Sequence, residues 1–279
     1  MRIPYFTPIF LLALTFHFAA CNNSTLDEAE ELLQSDTVAM DQTNEKIMMP
    51  NAVEFASHDG LLISGVLWEI DSTSPIILLC HQSGSNYHEY DEIAPQLNEL
   101  GFNCLAIDQR AGGILFDLVN ITADRAISEG KEVGFLDAQQ DINASINYCY
   151  ERFNSPVILW GSSYSAGLAL HFAQENEKVS AVIAFSPGDY FDDRLRPLTE
   201  TMIHFTKPYF ITSAKHEAKV ISSFLEKAIP DPLHMHYTPK NDGKHGSKAL
   251  WKETENNAEY WDELTLFLNR IKEQKITNP

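Results

Sequence analysis

The stretch Gly161-Ser162-Ser163-Tyr164-Ser165-Ala166-Gly167 sets three serines among small residues, directly after the apolar run PVILW (156–160) and before a segment of helical period. A serine hydroxyl is a weak nucleophile at neutral pH and becomes a strong one when a neighbouring base takes its proton. Serines are also favoured at helix N-termini, where their oxygens accept from unpaired amides, so capping competes as an explanation. Two registers fit a serine with small neighbours two positions away on each side: Ser163, between Gly161 and Ser165, and Ser165, between Ser163 and Gly167. Ser163 falls at the turn and Ser165 two residues into the helix, which makes Ser163 the better-placed nucleophile. His234 and His236 alternate on one face of the run LHMHY, as a pair of metal ligands would, but no third ligand follows at suitable spacing. Packing explains them better, and no metal is expected.

The elements that must position such a serine are legible in the hydrophobic periodicity. AVEFAS and LLISGVLW, joined at His58-Asp59-Gly60, read as a hairpin. Beyond it, strand-length runs at 75–80, 103–107, 156–160, 179–185, 208–213 and 233–237 alternate with helical segments. Those segments are Glu89 to Leu100, Leu136 to Arg152, Ser165 to Glu175, Glu217 to Ala228 and Ser247 to Lys272. Such alternation builds a mostly parallel sheet of about eight strands with helices on both faces. In sheets of this kind the chemistry sits on loops at the carboxyl ends of strands.

With its loops in this order, the chain resembles the α/β-hydrolase superfamily, and bacterial serine hydrolases of the dienelactone-hydrolase and esterase kind in particular. Gly161-Ser162-Ser163-Tyr164-Ser165 is similar to the nucleophile elbow, with Ser165 in place of the last glycine. His81-Gln82-Ser83-Gly84-Ser85 is similar to the family's His-Gly loop. The resemblance implies backbone N–H groups of Gln82 and Tyr164 as oxyanion donors, with the His81 ring stabilising its loop. Asp108-Gln109-Arg110-Ala111-Gly112-Gly113 resembles a turn whose Asp and Arg hold loops together. The family order of serine, acid, histidine implies His245 as base, within Asp242-Gly243-Lys244-His245-Gly246. It implies Glu217 as the acid, with Asp189 as the alternative. The expected reaction is hydrolysis of a small ester or related acyl bond, with no metal or organic cofactor. A peptidase or acylaminoacyl hydrolase is one alternative, and a catalytically silent binding lipoprotein is another. No large cap domain is expected, and the connection from Gly113 to Leu136 is the place to look for specificity, through Phe116, Asn120 and Arg125 together with Tyr87 and His88.

Composition bounds the partners. A formal charge of −19 over 279 residues opposes nucleic acid and anionic lipid and suits a small neutral or cationic substrate. Arg2 is the only charged residue before Asp27, and IFLLALTFHFAA (9–20) is shorter than a comfortable bilayer span. Residues 1–20 thus resemble a signal peptide, and Phe18-Ala19-Ala20-Cys21 resembles a bacterial lipobox whose cysteine receives lipid. The expectation is export to the bacterial periplasm or outer-membrane surface, a membrane tether through lipid on Cys21 alone, an acidic linker over 21–50, and a hydrolase domain over 51–279. Cys80, Cys104 and Cys149 are expected as buried thiols without a disulfide.

Overall fold

The computed structural model describes residues 50–277, so the segment read as a signal peptide, Cys21 and nearly all of the acidic linker lie outside the described residues. These residues form an eight-stranded sheet in the spatial order β1 (Asn51–Ala56), β2 (Leu62–Trp68), β4 (Asn103–Ile107), β3 (Ile76–Cys80), β5 (Val157–Ser162), β6 (Val179–Phe185), β7 (Tyr209–Thr212) and β8 (His234–Tyr237). β2 pairs antiparallel with both β1 and β4, and every later pairing is parallel. Helices α1 (Ile93–Glu99), α2 (Ile121–Ser128), α3 (Gln139–Phe153), α4 (Tyr164–Ala173), α5 (Ala218–Leu225) and α6 (Asn257–Thr277) cover it.

Successive strand side chains point to opposite faces, and the core divides accordingly. Ile76, Leu78 and Cys80 of β3 join Val157 and Leu159 of β5 on the face packed by α3 and α4. Ile77, Leu79, Ile158 and Trp160 face the other way, against Ile93 and Leu97 of α1 and Leu264, Phe267 and Leu268 of α6. Both faces being covered explains why the central strands read as unbroken apolar runs. Cys80, Cys104 and Cys149 are buried free thiols, and burial raises the pKa of each.

Strand order reverses at β3. The chain leaves β3 for β4 on one side and returns to β5 on the other, so the loops after Cys80 and after Ser162 open beside each other, with Cys80 opposite Gly161 in the ladder. A reversal of this kind leaves a crevice at the carboxyl ends of the strands, where α/β sheets bind ligands.

Two expected helices are redrawn, and a third forms where none was expected. The segment from Glu89 to Leu100 splits into a 3-10 turn, Tyr87–Tyr90, and α1. Starting α1 at Ile93 puts Pro95 in its first turn, where a missing N–H costs nothing; a start at Glu89 would have put it in the interior. The connection from Gly113 to Leu136 contains α2, begun by Asn120, whose Oδ1 accepts from Ala123 N at 2.7 Å. The C-terminal segment breaks after a 3-10 turn, Gly246–Leu250, because Trp251 turns to extended backbone (ψ 145°) and its Nε1 donates to Glu89 O at 2.8 Å.

Candidate active site

Ser163 stands at the junction of β5 and α4 with φ 59° and ψ −120°, a conformation L-residues avoid. The turn is so tight that a Cβ on Gly161 would lie 2.4 Å from the Ser165 carbonyl carbon and the Ala166 nitrogen. Gly161 is therefore required by geometry. Ser165 lies two residues further, fully buried, its Oγ donating to His81 O at 2.6 Å and accepting from Gln109 Nε2 at 3.0 Å. That hydroxyl fastens the elbow to the neighbouring loop and faces no solvent, which removes the second register.

Glu217 and His245 come together from sequence positions 28 apart: His245 Nδ1 lies 2.5 Å from Glu217 Oε1. The other carboxylate oxygen of Glu217 accepts from Ser186 Oγ at 2.7 Å and from Ala214 N at 3.0 Å. Burial pushes the Glu217 carboxyl up, and the hydrogen bonds from His245 and Ser186 with the attraction to His245 outweigh it, leaving its pKa below the ordinary value. Ser186 Oγ also accepts from Gly246 N at 2.9 Å, and Ser247 N donates to Ser162 Oγ at 2.9 Å. These two bonds hold the histidine loop against the elbow. Ser163 Oγ itself donates to Tyr190 Oη at 3.5 Å, and no hydrogen bond joins it to His245 among the described residues. A loose nucleophile–base contact is common before substrate arrives.

Asp189, the alternative acid, is turned elsewhere. Its Oδ1 accepts from Leu198 N at 2.8 Å, at the start of a one-turn helix.

The amide donors need one correction. Tyr164 is the first residue of α4, where an N–H has no intrahelical partner, so its amide is available beside Ser163. The Gln82 amide is not, because it donates to the buried Glu89 carboxylate at 3.1 Å. Burial raises the Glu89 pKa against the pull of its neighbours. The next amide, Ser83 N–H, has no hydrogen-bond partner among the described residues. The Gln82 side chain turns behind the elbow: a Cβ on Gly246 would lie 2.6 Å from its Oε1.

Around these groups lies a second, structural network. The His81 ring is fully buried, its Nδ1 2.8 Å from Gln82 O and its Nε2 accepting from Gln109 N (2.9 Å), with Asn120 Nδ2 at 3.0 Å. Burial lowers its pKa to about 4, so the ring is neutral. Asp108 accepts from Tyr87 N and Ile121 N, and Arg110 binds Asp141 and Asp59. The turn after β4 holds loops together, as its sequence suggested.

The five pocket candidates separate. Asn120 is buried and spends its side chain on His81, Ser85 O, Gln109 O and the α2 cap, so it lines no pocket. Arg125 pairs with Glu54 at 2.7 Å on the β1–β2 edge and is likewise removed from the site. The rings of Tyr87 and His88 lie 4.0 Å apart, tilted by 32°, with His88 Nδ1 on Asp91 at 2.6 Å. Phe116 is 63% exposed and lies against Trp251, ring centroids 5.5 Å apart. Three residues escaped the sequence reading: Ser186, Glu89 and Tyr190. Ser186-Pro187-Gly188 after an apolar run marks a strand end, and that was the available signal for Ser186. Glu89 and Tyr190 carry none.

A mostly parallel sheet, a strained serine on its central strand and an imidazole–carboxylate pair beside it define a protein of the α/β-hydrolase class. Residues 71–268 match the hydrolase family described as serine aminopeptidase, S33, and the chain belongs to that family; it is a hydrolytic enzyme. Comparison with curated protein sequences finds no match. Among solved structures, an esterase from Pyrococcus furiosus superposes with a TM-score of 0.62 at 18% identity, over 80% of this chain and 93% of that one. A dienelactone hydrolase from Anabaena variabilis gives a TM-score of 0.60 at 17% identity, over 80% of this chain and 97% of that one. At those identities the likeness is one of fold.

Proposed function

We propose that this protein is a serine hydrolase that cleaves a small ester or related acyl bond through an acyl-enzyme on Ser163. The hydrogen bond between His245 Nδ1 and Glu217 carries the reading, because it fixes an imidazole with Nδ1 as the proton-bearing nitrogen on a loop fastened to the elbow. His245 Nε2 takes the Ser163 proton as Oγ bonds to the substrate carbonyl carbon, then gives it to the leaving group as the scissile bond breaks. Water, deprotonated by the same nitrogen, releases the acid and restores the Ser163 hydroxyl. The Tyr164 amide, with Ser83 in place of Gln82, would hold the oxyanion. The named activities of the two structural neighbours, an esterase and a dienelactone hydrolase, favour an ester over other acyl bonds.

The test is labelling with a fluorophosphonate probe and turnover of p-nitrophenyl acetate, comparing the natural protein with Ser163→Ala and Ser165→Ala. Loss of both signals in Ser163→Ala is the expected outcome, and labelling that survives it would overturn the assignment. The family description favours a second reading, an aminopeptidase. Amino-acid p-nitroanilides in the same assay decide between the two, and inertness toward both substrate classes and the fluorophosphonate would leave a binding lipoprotein. For localisation, we infer export with lipid on Cys21, supported by the apolar run ending at Ala20. Fractionation of cells carrying Cys21→Ser reads it: the variant should leave the membrane fraction, and one that stays there would refute the lipid tether.

A further inference from the structure

Among the described residues, Tyr190 is the one whose side chain hydrogen-bonds the proposed nucleophile, and neither the family nor the sequence pattern assigns it a role. Its Oη accepts from Ser163 Oγ at 3.5 Å and has no other hydrogen-bond partner among the described residues. The ring is held in place from three sides. It meets Phe135 edge-on at 6.3 Å and 83°, and Phe135 is itself stacked on Tyr164, the residue after the nucleophile, at 4.6 Å. Phe191 is edge-on to it at 6.4 Å and 88°. Gly188 makes room for it, since a Cβ there would stand 2.7 Å from Tyr190 Cζ. Nothing about this packing requires the hydroxyl.

We propose that Tyr190 is a catalytic residue that donates a hydrogen bond to Ser163 Oγ whenever that oxygen carries the charge of the reaction. The proposal rests on the reading of Ser163 as nucleophile. In the free enzyme the Ser163 hydroxyl is the donor and Tyr190 Oη the acceptor. Once His245 holds the Ser163 proton and Oγ is bonded to the acyl carbon, that donor is gone. Oγ can then only accept, and the Tyr190 O–H, unengaged elsewhere, turns to it.

Charge develops on Oγ as the second tetrahedral intermediate collapses. There the bond between Oγ and the acyl carbon breaks, its electron pair stays on Oγ, and His245 returns the proton. Tyr190 keeps its own proton throughout and acts by stabilising Oγ as a leaving group. Breakdown of the acyl-enzyme is therefore a step that it accelerates.

The test is Tyr190→Phe, which keeps the ring and its aromatic neighbours, assayed with p-nitrophenyl acetate under pre-steady-state and steady-state conditions. The expected result is a burst of nitrophenolate approaching one per enzyme, followed by turnover slowed roughly tenfold to a hundredfold, with KM lowered in parallel. Loss of one buried oxyanion donor typically costs on the order of 10² to 10³ in kcat, and Tyr190 is 37% exposed, which sets the smaller figure. Gly188→Ala, which displaces the ring with its hydroxyl intact, should reproduce the slow phase. Unchanged turnover in Tyr190→Phe would overturn the proposal. Faster turnover would do so too, by making the contact a brake, and a raised KM at constant kcat would make Tyr190 a substrate contact instead. If Ser163→Ala stays active, the nucleophile itself is wrong; if Ser163→Ala is dead and Tyr190→Phe is normal, only this inference falls.

Discussion

Two polar networks share the carboxyl edge of the sheet, and they differ in what they leave unspent. Around His81, Asp108 and Arg110, donors meet acceptors at ordinary distances: both His81 nitrogens, both Asp108 oxygens and the Arg110 guanidinium are engaged. Around Ser163, capacity is left over. Among the described residues, Ser163 Oγ has one hydrogen bond, at 3.5 Å, the amides of Ser83 and Tyr164 have no partner, and His245 is bound through one nitrogen. Buried polar groups are costly unless satisfied, so a saturated network stabilises a fold and an unsaturated one awaits a ligand. The difference between His81 and His245, two histidines on strand-end loops, is this remaining capacity.

The largest expected effect breaks the unsaturated side. Glu217→Gln keeps the shape and lets the amide oxygen accept from Ser186 or Ala214 N, but it no longer offers His245 Nδ1 a carboxylate. The loss in kcat should be on the order of 10³ to 10⁴, while the unfolding midpoint in urea moves little. Unchanged turnover would mean that the pair is structural and would erase the contrast between the networks.

A second measurement sharpens the saturated side. Burial lowers the His81 pKa from 6.5 to about 4, so on acidification the unfolded chain binds a proton before the folded one does. The stability this ring contributes is complete above pH 6.5 and is lost as pH falls toward 4, by about 3 kcal/mol in all. Asp108 acts in the opposite sense, since burial raises its pKa to about 6 and its charged form is what burial penalises. Total stability therefore hides the His81 effect, and a difference exposes it. The stability gap between the natural protein and His81→Asn, measured by urea unfolding at pH 7, 5.5 and 4, should shrink by about that amount. A gap that stays constant would show that the ring takes up its proton in the folded state as readily as in the unfolded one.

How far each network was legible in the sequence follows from the same physics. The strand runs were readable because both faces of the sheet are buried, and the elbow because Gly161 has no room for a Cβ. His245 and Glu217 were reachable through the resemblance, which supplies order along the chain but no register within a loop. The loop after β3 shows the limit. Gln82 and Ser83 are adjacent, and what separates a spent amide from a free one is Glu89, seven residues on in a 3-10 turn. Asn120 and Arg125 fall among the pocket candidates because the connection that carries them is longer than usual. It contains α2, which gives Asn120 a helix to cap and turns Arg125 toward Glu54. Tyr190 is invisible in the sequence because its contact with Ser163 spans 27 residues and depends on packing beside Phe135, Phe191 and Gly188.

The smallest expected effect closes the choice between the two acids. Asp189 accepts from Leu198 N at 2.8 Å and so behaves as a cap for a one-turn helix. Asp189→Ala should cost about 1 kcal/mol of stability, the usual loss when a capping acceptor is removed. It should leave kcat within about twofold, because neither the Glu217–His245 pair nor the bonds that hold the histidine loop to the elbow involve it. Measured beside Glu217→Gln, the two variants should separate cleanly, one losing turnover at nearly constant stability and the other losing a little stability at constant turnover. If Asp189→Ala instead lost turnover by the same factor as Glu217→Gln, the acid would have to be reassigned to the loop after β6. His245 would then have to adopt a position different from the one in which Glu217 now holds it.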